Sequence, residues 1–72
     1  MSEPEMEPVV SEAVDRIGYD EESQEVYVEF SSGVTYAYSG VPAAVYEDFR
    51  GAASIGNYVN TILKSTYPCR RL

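Results

Sequence analysis

The sequence contains no histidine and only one cysteine, Cys69. The missing histidine removes the usual general base and the commonest metal ligand. One cysteine cannot supply the Cys/His set of a zinc site or form a disulfide within the chain. The acidic residues cluster in segments that we expect to be tail or turn, where we expect solvated side chains rather than a catalytic pair. We therefore expect a protein without enzymatic activity and without a cofactor.

Long apolar runs are missing as well. No stretch approaches the roughly 20 residues that a membrane-spanning helix needs. The first residues are acidic and polar, which is the opposite of a signal peptide. Together with the lone cysteine, these features predict a soluble cytoplasmic protein in a reducing compartment.

Each part of the chain is poor in charge of one sign. The formal net charge is −7, and residues 1–48 hold all 12 acidic residues but only one basic residue, Arg16. Residues 49–72 hold the other four basic residues and no acidic residue. Because phosphate neutralisation dominates affinity for long nucleic acid, we exclude long double-stranded DNA as a partner. The basic C-terminal part could still hold a small anion or a short strand, or attract the acidic half or a neighbouring subunit.

The length of 72 residues predicts one domain. Glutamate and proline dominate residues 1–10, which we interpret as a disordered acidic tail. The folded domain is expected to span residues 11–68, and residues 69–72 are expected to form a short basic tail. A domain of this size buries only roughly 60% of its unfolded surface, which favours a homo-oligomer.

The middle of the chain shows the alternation that is typical of a β-sheet. Three strands are predicted, at residues 14–20, 25–30 and 34–38, with Val26, Val28 and Phe30 on one face. Gly33 lies in the second connection, where a positive φ suits a tight turn. The prediction is a three-stranded antiparallel β-meander with one buried face.

Two helices are predicted to follow the meander. Pro42 suits the first position of a short helix that ends at Gly51, and a second helix runs from about Ser54 to Thr66 before Pro68. Apolar residues that recur at helical spacing in the second helix are expected to pack on the sheet: Ile55, Val59, Ile62 and Leu63. The fold class is thus α+β, a three-stranded antiparallel β-meander packed against two C-terminal helices.

Six short motifs occur in order between residues 11 and 67: Ile17-Gly18-Tyr19-Asp20, Val26-x-Val28-x-Phe30, Gly33-x-x-Tyr36-x-Tyr38, Val41-Pro42-x-x-Val45-Tyr46, Ser54-x-Gly56-x-Tyr58-x-Asn60 and Ile62-x-Lys64-x-x-Tyr67. In this order and spacing the chain resembles the KTSC domain. That small domain is named for its occurrence at the C-terminus of some lysyl-tRNA synthetases and also stands alone in bacteria and phages. The resemblance implies a three-stranded sheet with helices, and its synthetase context suggests contact with RNA or a nucleotide.

The start of the second helix is the candidate site. Ser54 is a favourable N-cap residue, whereas Gly56 costs roughly 1 kcal/mol in a helix relative to alanine. A helix N-terminus attracts anions through its free N–H groups and its partial positive charge. We therefore predict a non-catalytic binding module for a nucleotide-type anion, either a small nucleotide that it sequesters or short RNA. Close packing of Gly56 against a neighbouring strand is the alternative explanation.

Eight residues form the predicted ligand site: Ser54, Gly56, Asn57, Tyr58, Asn60, Lys64, Arg70 and Arg71. Tyr58 would stack on or border a base, and Asn57 or Asn60 would read its polar edges. Lys64 lies roughly 15 Å along the helix from Ser54, so its charge would come from a partner chain unless the ligand is extended.

The tyrosines leave a second function open. Tyr36 and Tyr38 share one strand face, where they would either stack on bases or form half-buried core with solvated hydroxyls. A sheet edge or a tyrosine face would also serve a protein–protein interaction or assembly module that has no nucleotide ligand.

Overall fold

The computed structural model describes residues 5–72. Within these residues the chain forms five strands, at Glu7–Pro8 (β1), Val14–Asp20 (β2), Glu25–Phe30 (β3), Thr35–Tyr38 (β4) and Cys69–Arg71 (β5). Helix α1 spans Ala43–Arg50. Helix α2 is continuous over residues 55–66, where Ile55–Tyr58 and Lys64–Thr66 are α-helical and Val59–Leu63 between them is π-helical.

The strands form one antiparallel sheet in the order β1-β2-β3-β4-β5. The three predicted strands are confirmed as β2, β3 and β4, and Gly33 between the last two has a φ of 96°. The predicted three-stranded meander is corrected to a five-stranded sheet over residues 5–72. The two additional strands are two and three residues long, which is too short to carry a pattern of period two.

The additional strands lie within the segments that the sequence analysis assigned to tails, residues 1–10 and 69–72. Strand β1 is held by an ion pair of 3.0 Å between Glu7 and Arg50 of α1. Strand β5 is held by a pair of 3.1 Å between Arg70 and Glu25 of β3. Glu7–Pro8 and Cys69–Arg71 therefore belong to the sheet, whereas residues 1–4 of the predicted tail lie outside the described residues.

Both helices cover one face of the sheet, here called the inner face. Its core gathers apolar side chains from β2, β3, β4, both helices and the β4–α1 connection: Val14, Ile17, Val26, Val28, Tyr38, Val41, Tyr46, Phe49, Ile55, Tyr58, Val59 and Leu63. Phe30 packs against this core but is only half-buried. The burial predicted for Ile62 is wrong, since 37% of this residue is exposed. The π-helical segment changes the angle between successive residues, so that Leu63 takes the core position and Ile62 lies beside it.

Pro42 is the N-cap of α1 rather than its first residue, and Gly51 is its C-cap as expected. Tyr46 and Phe49 carry the buried face of this helix. None of the helices in residues 5–72 is long and apolar enough to cross a membrane.

Candidate functional site

Helix α2 begins as its sequence predicts. The Ser54 hydroxyl accepts a hydrogen bond of 3.2 Å from the Asn57 amide, and the Ser54 carbonyl accepts one of 3.0 Å from the Tyr58 amide. For the amides of Ile55 and Gly56 there is no acceptor within residues 5–72. Two donors at the positive end of the helix are therefore free to meet a ligand.

A groove of about 480 Å³ opens beside these amides. Ser11, Glu12 and Ala13, which precede β2, form one wall, and residues 53–57 with Asn60 form the other. We call this cavity the helix-start groove. It brings together four of the predicted site residues: Ser54, Gly56, Asn57 and Asn60.

Gly56 forms part of the groove without being required there by packing. A Cβ atom at this position would lie 3.7 Å from Ala13 Cβ and 3.8 Å from Ser11 Oγ, which are ordinary contact distances. Its backbone is helical, so the conformation does not require glycine either. The neighbouring strand therefore does not explain a residue that costs roughly 1 kcal/mol in a helix, and the missing side chain leaves the groove open.

Tyr58 does not face the groove. Only 8% of the residue is exposed, its ring lies 5.2 Å from that of Phe49, and its hydroxyl donates a hydrogen bond of 2.9 Å to Asp48 Oδ2. Burial, followed by the bond to Asp48, raises the pKa of Tyr58 to about 12. A ring packed in this way has no face for a base, so the stacking role predicted for Tyr58 does not fit its position.

The basic members of the predicted site lie elsewhere. Lys64 is exposed in the last part of α2. Arg70 and Arg71 lie on β5, at the opposite edge of the sheet from the β1–β2 connection that lines the groove. Arg70 also forms a salt bridge with Glu25, and this contact holds the pKa of the Glu25 carboxyl below its ordinary value. One chain therefore gathers the polar residues of the site but not its cations.

A second cavity surrounds Tyr36, which the sequence indicated as a possible stacking residue without predicting a cavity. Phe30, Val34 and Tyr36 line a cleft of about 400 Å³ together with Ala13, Ser31 and Ser32. The Phe30 and Tyr36 rings meet edge to face, with centroids 5.8 Å apart and planes at 80°. We call it the aromatic cleft. The tyrosine pair of β4 is the sequence feature that indicates this surface. Only Tyr36 lines the cleft, where it is half-buried, because Tyr38 is 3% exposed and belongs to the core.

The described residues hold few reactive groups. Residues 5–72 contain no cluster of three or more Cys, Asp or Glu side chains that is arranged to hold a metal ion. Cys69 is a free, exposed thiol on β5. What the two cavities offer is hydrogen-bonding groups and aromatic surface.

The fold and its cavities define a small α+β domain with a groove where a helix meets a five-stranded sheet. The KTSC domain matches residues 10–67, and the chain belongs to the KTSC domain family. The crystal structure of a KTSC domain protein from Yersinia pestis is similar, with a TM-score of 0.87 and 32% identity over 94% of this chain and 96% of that one.

Two relatives show the domain in different settings. A protein of Tsukamurella paurometabola is 40% identical over 62 residues, which cover 86% of this chain and 92% of that protein. A lysine–tRNA ligase of Nostoc punctiforme is 32% identical over 59 residues, which cover 82% of this chain but only 10% of the ligase. The domain thus makes up nearly all of one relative and a small part of another.

Proposed function

We propose that this protein is a non-catalytic binding module that holds a nucleotide-type anion in the helix-start groove. The observation that carries the proposal is Gly56, whose missing side chain neither packing nor backbone conformation explains. The free amides of Ile55 and Gly56 would bind one phosphate group, as helix N-termini do. Asn57 and Asn60 would donate and accept hydrogen bonds along the rest of the ligand.

The charges favour a small nucleotide over RNA. Three of the five basic residues form ion pairs, namely Arg16, Arg50 and Arg70. Glu12 adds a negative charge at the wall of the groove. Since affinity for a polyanion grows with the number of phosphates that the protein neutralises, this surface suits a ligand with one or two phosphates. A free-standing copy of the domain would act by sequestering such a molecule.

A second copy of the chain would complete the charge of the site. Lys64 pairs with no carboxylate of residues 5–72 and lies too far along α2 to share a phosphate with Ser54. In a homo-oligomer, Lys64 of one chain would lie beside the groove of its neighbour. This arrangement supplies the cation that a single chain lacks there.

A protein-interaction or assembly role is the second candidate. It is favoured by β5, the last strand of the sheet, whose three residues are exposed. An unpaired strand edge can accept a strand from another protein. This role needs no ligand in the helix-start groove.

The test uses substitutions with opposite expected effects on stability and binding. Gly56→Ala should stabilise the fold by up to about 1 kcal/mol, because the helix gains propensity and the Cβ atom meets no clash. It should nevertheless weaken binding of adenosine 5′-monophosphate, and Gly56→Val should abolish it. Calorimetric titration measures binding, thermal unfolding measures stability, and circular dichroism checks the fold.

Lys64→Ala and Arg71→Ala form a matched pair of charge removals. Neither residue forms an ion pair within residues 5–72, and only Lys64 is assigned to the site by the proposal. Lys64→Ala should weaken binding most at low salt, and Arg71→Ala should leave it near the wild-type value. A wild-type protein that binds no nucleotide or short RNA would overturn the proposal, as would normal binding by folded Gly56→Val.

A further inference from the structure

The aromatic cleft is a half-open surface built from two strands. Phe30 ends β3 and Tyr36 lies on β4, and both rings are half-buried rather than enclosed. Because the rings meet edge to face, the open face of one ring and the edge of the other form a corner. A flat aromatic group fits such a corner by stacking on one ring and contacting the edge of the second.

The cleft and the helix-start groove share one lining residue, Ala13. The Ser31 amide donates a hydrogen bond of 2.9 Å to the Ala13 carbonyl, and the Ser31 hydroxyl donates one of 3.1 Å to the Glu12 carbonyl. These bonds fix the rim of the cleft to the wall of the groove, so the two cavities keep one relative position.

The order of chemical groups along the two neighbouring cavities matches one class of ligand. Free amides lie at the α2 end, the Glu12 carboxylate and the Ser11 hydroxyl lie beside Ala13, and aromatic rings lie at the far end. Phosphate suits the amides, and a carboxylate suits the hydroxyl groups of a ribose rather than a phosphate. The aromatic end suits a base, since stacking on aromatic side chains accepts every base.

We infer that the aromatic cleft of Phe30 and Tyr36 is the nucleobase subsite of the ligand whose phosphate lies in the helix-start groove. The inference rests on the proposed function for the phosphate end and assigns the base to Tyr36 and Phe30 instead of the buried Tyr58. The ligand class is a nucleoside phosphate whose base and phosphate lie on opposite sides of Ala13.

The experiment compares three probes: adenosine 5′-monophosphate, adenosine and ribose 5-phosphate. Each is titrated into isotope-labelled protein, and the amide resonances of residues 30–36 and 54–60 are followed by NMR. Adenosine should shift only the resonances of residues 30–36 and those of residues 11–13. Ribose 5-phosphate should shift those of residues 54–60, and the monophosphate should shift both sets.

Tyr36→Leu is the diagnostic variant, since it keeps an apolar side chain and removes the ring. Loss of one stacking contact should weaken binding of the monophosphate by about tenfold or more and leave binding of ribose 5-phosphate unchanged. Tyr67→Leu, which removes another half-buried ring on the inner side, is the control and should change neither. If Tyr36→Leu does not fold, Phe30→Leu tests the same loss of monophosphate binding at the other ring of the cleft.

The outcomes separate this inference from the proposed function. If ribose 5-phosphate and the monophosphate bind equally well, the base contributes nothing and the subsite is overturned while the phosphate site stands. If adenosine binds at residues 30–36 but neither phosphate compound shifts residues 54–60, the subsite stands and the anion site is overturned. Binding of the monophosphate by folded Tyr36→Leu with wild-type affinity, or no shift at residues 30–36 with any probe, also overturns the subsite.

Discussion

Met6 lies against the backbone of Gly18 on the face of the sheet opposite the helices. A Cβ atom at Gly18 would stand 2.6 Å from Met6 Sδ and 3.0 Å from the Glu5 carbonyl oxygen. A side chain at position 18 would require Met6 and Glu5 to shift, so the N-terminal segment and β2 fit closely. On the other side of the same segment, Glu7 reaches Arg50 of α1. Residues 5–10 are thus anchored on both faces of the sheet.

Deletion of residues 1–10 should therefore destabilise the domain, although composition alone predicts no effect. The deletion removes the β1–β2 pairing, the Met6 contact and an exposed ion pair. An exposed pair is worth at most about 1 kcal/mol, so we expect a total loss of about 1–3 kcal/mol and a fall of several degrees in the melting temperature.

Gly18→Ala supplies the matched measurement for the deletion. In the full chain it should lower stability, because Met6 and Glu5 must move. In the truncated chain it should cost less, since those neighbours are gone. Equal costs in both backgrounds would show that the N-terminal segment does not dock on β2.

The structure also ranks the two phenylalanines. Phe49 is fully buried, whereas Phe30 is half-buried. Phe49→Ala should cost about 3–5 kcal/mol, which is the usual loss for a buried phenylalanine, and Phe30→Ala should cost clearly less. Urea unfolding of both variants measures the difference, and a larger loss for Phe30→Ala would contradict the assigned packing.

The central strands and the start of α2 could be predicted from the sequence, because local features determine them. Val26 and Val28 alternate with polar neighbours over a full strand, and Ser54 caps its helix through a contact three residues away. The edge strands β1 and β5 could not be predicted from the sequence, because they form only by pairing with β2 and β4. Their charged and proline-containing sequences resemble tails when taken alone.

In the candidate site too, local features could be predicted from the sequence and long-range packing could not. The polar residues near the helix start, such as Asn57 and Asn60, follow from helix geometry and do line one groove. The position of Tyr58 depends on how α1 packs against α2, because Tyr58 contacts Asp48 and Phe49 of α1. The link between Ala13 and both cavities depends on residues far apart in the chain, so no local pattern could have indicated it.

The pairing of β5 should depend on pH. The hydrogen bond from Arg70 lowers the pKa of Glu25, while partial burial opposes this shift. The unfolded chain therefore takes up the proton at a higher pH than the folded chain. The stability that this pair contributes is present above the unfolded pKa of Glu25 and is lost as the pH falls through the folded value.

We accordingly expect wild type to lose more stability than Glu25→Gln between pH 6 and about pH 3. Since 57% of the Arg70 side chain is exposed, solvent screening keeps the difference small. Denaturant unfolding at several pH values measures it, and Arg70→Ala should behave like Glu25→Gln. Parallel pH profiles for wild type and Glu25→Gln would contradict this role of the pair.

Tyr58→Phe should show that Tyr58 is structural. Removal of its hydroxyl deletes the bond to Asp48, which should cost about 1 kcal/mol. The contribution of the raised pKa is present below the ordinary tyrosine pKa of about 10 and is lost as the pH rises through about 12. The variant should lack the tyrosine that ionises near that pH in an ultraviolet titration and should bind nucleotide as wild type does. Weaker nucleotide binding by the folded variant would show that Tyr58 contributes to the ligand site.

Association of two or more chains is the condition under which Lys64 can serve the helix-start groove. Light scattering at low salt should give a mass above the 8.0 kDa of one chain, and the mass should fall as salt screens the attraction between acidic and basic surfaces. A monomer at micromolar concentration under low salt would contradict the shared site.

Mixing two impaired variants at low salt then tests whether Lys64 acts between chains. Gly56→Val blocks the groove of its own chain but keeps Lys64, whereas Lys64→Ala keeps an open groove. If Lys64 serves the neighbouring chain, a mixed oligomer contains one open groove beside an intact lysine, so the mixture should bind more tightly than either variant alone. If Lys64 serves its own chain or no site at all, each mixture should bind as the average of its two components, because no chain then has both features.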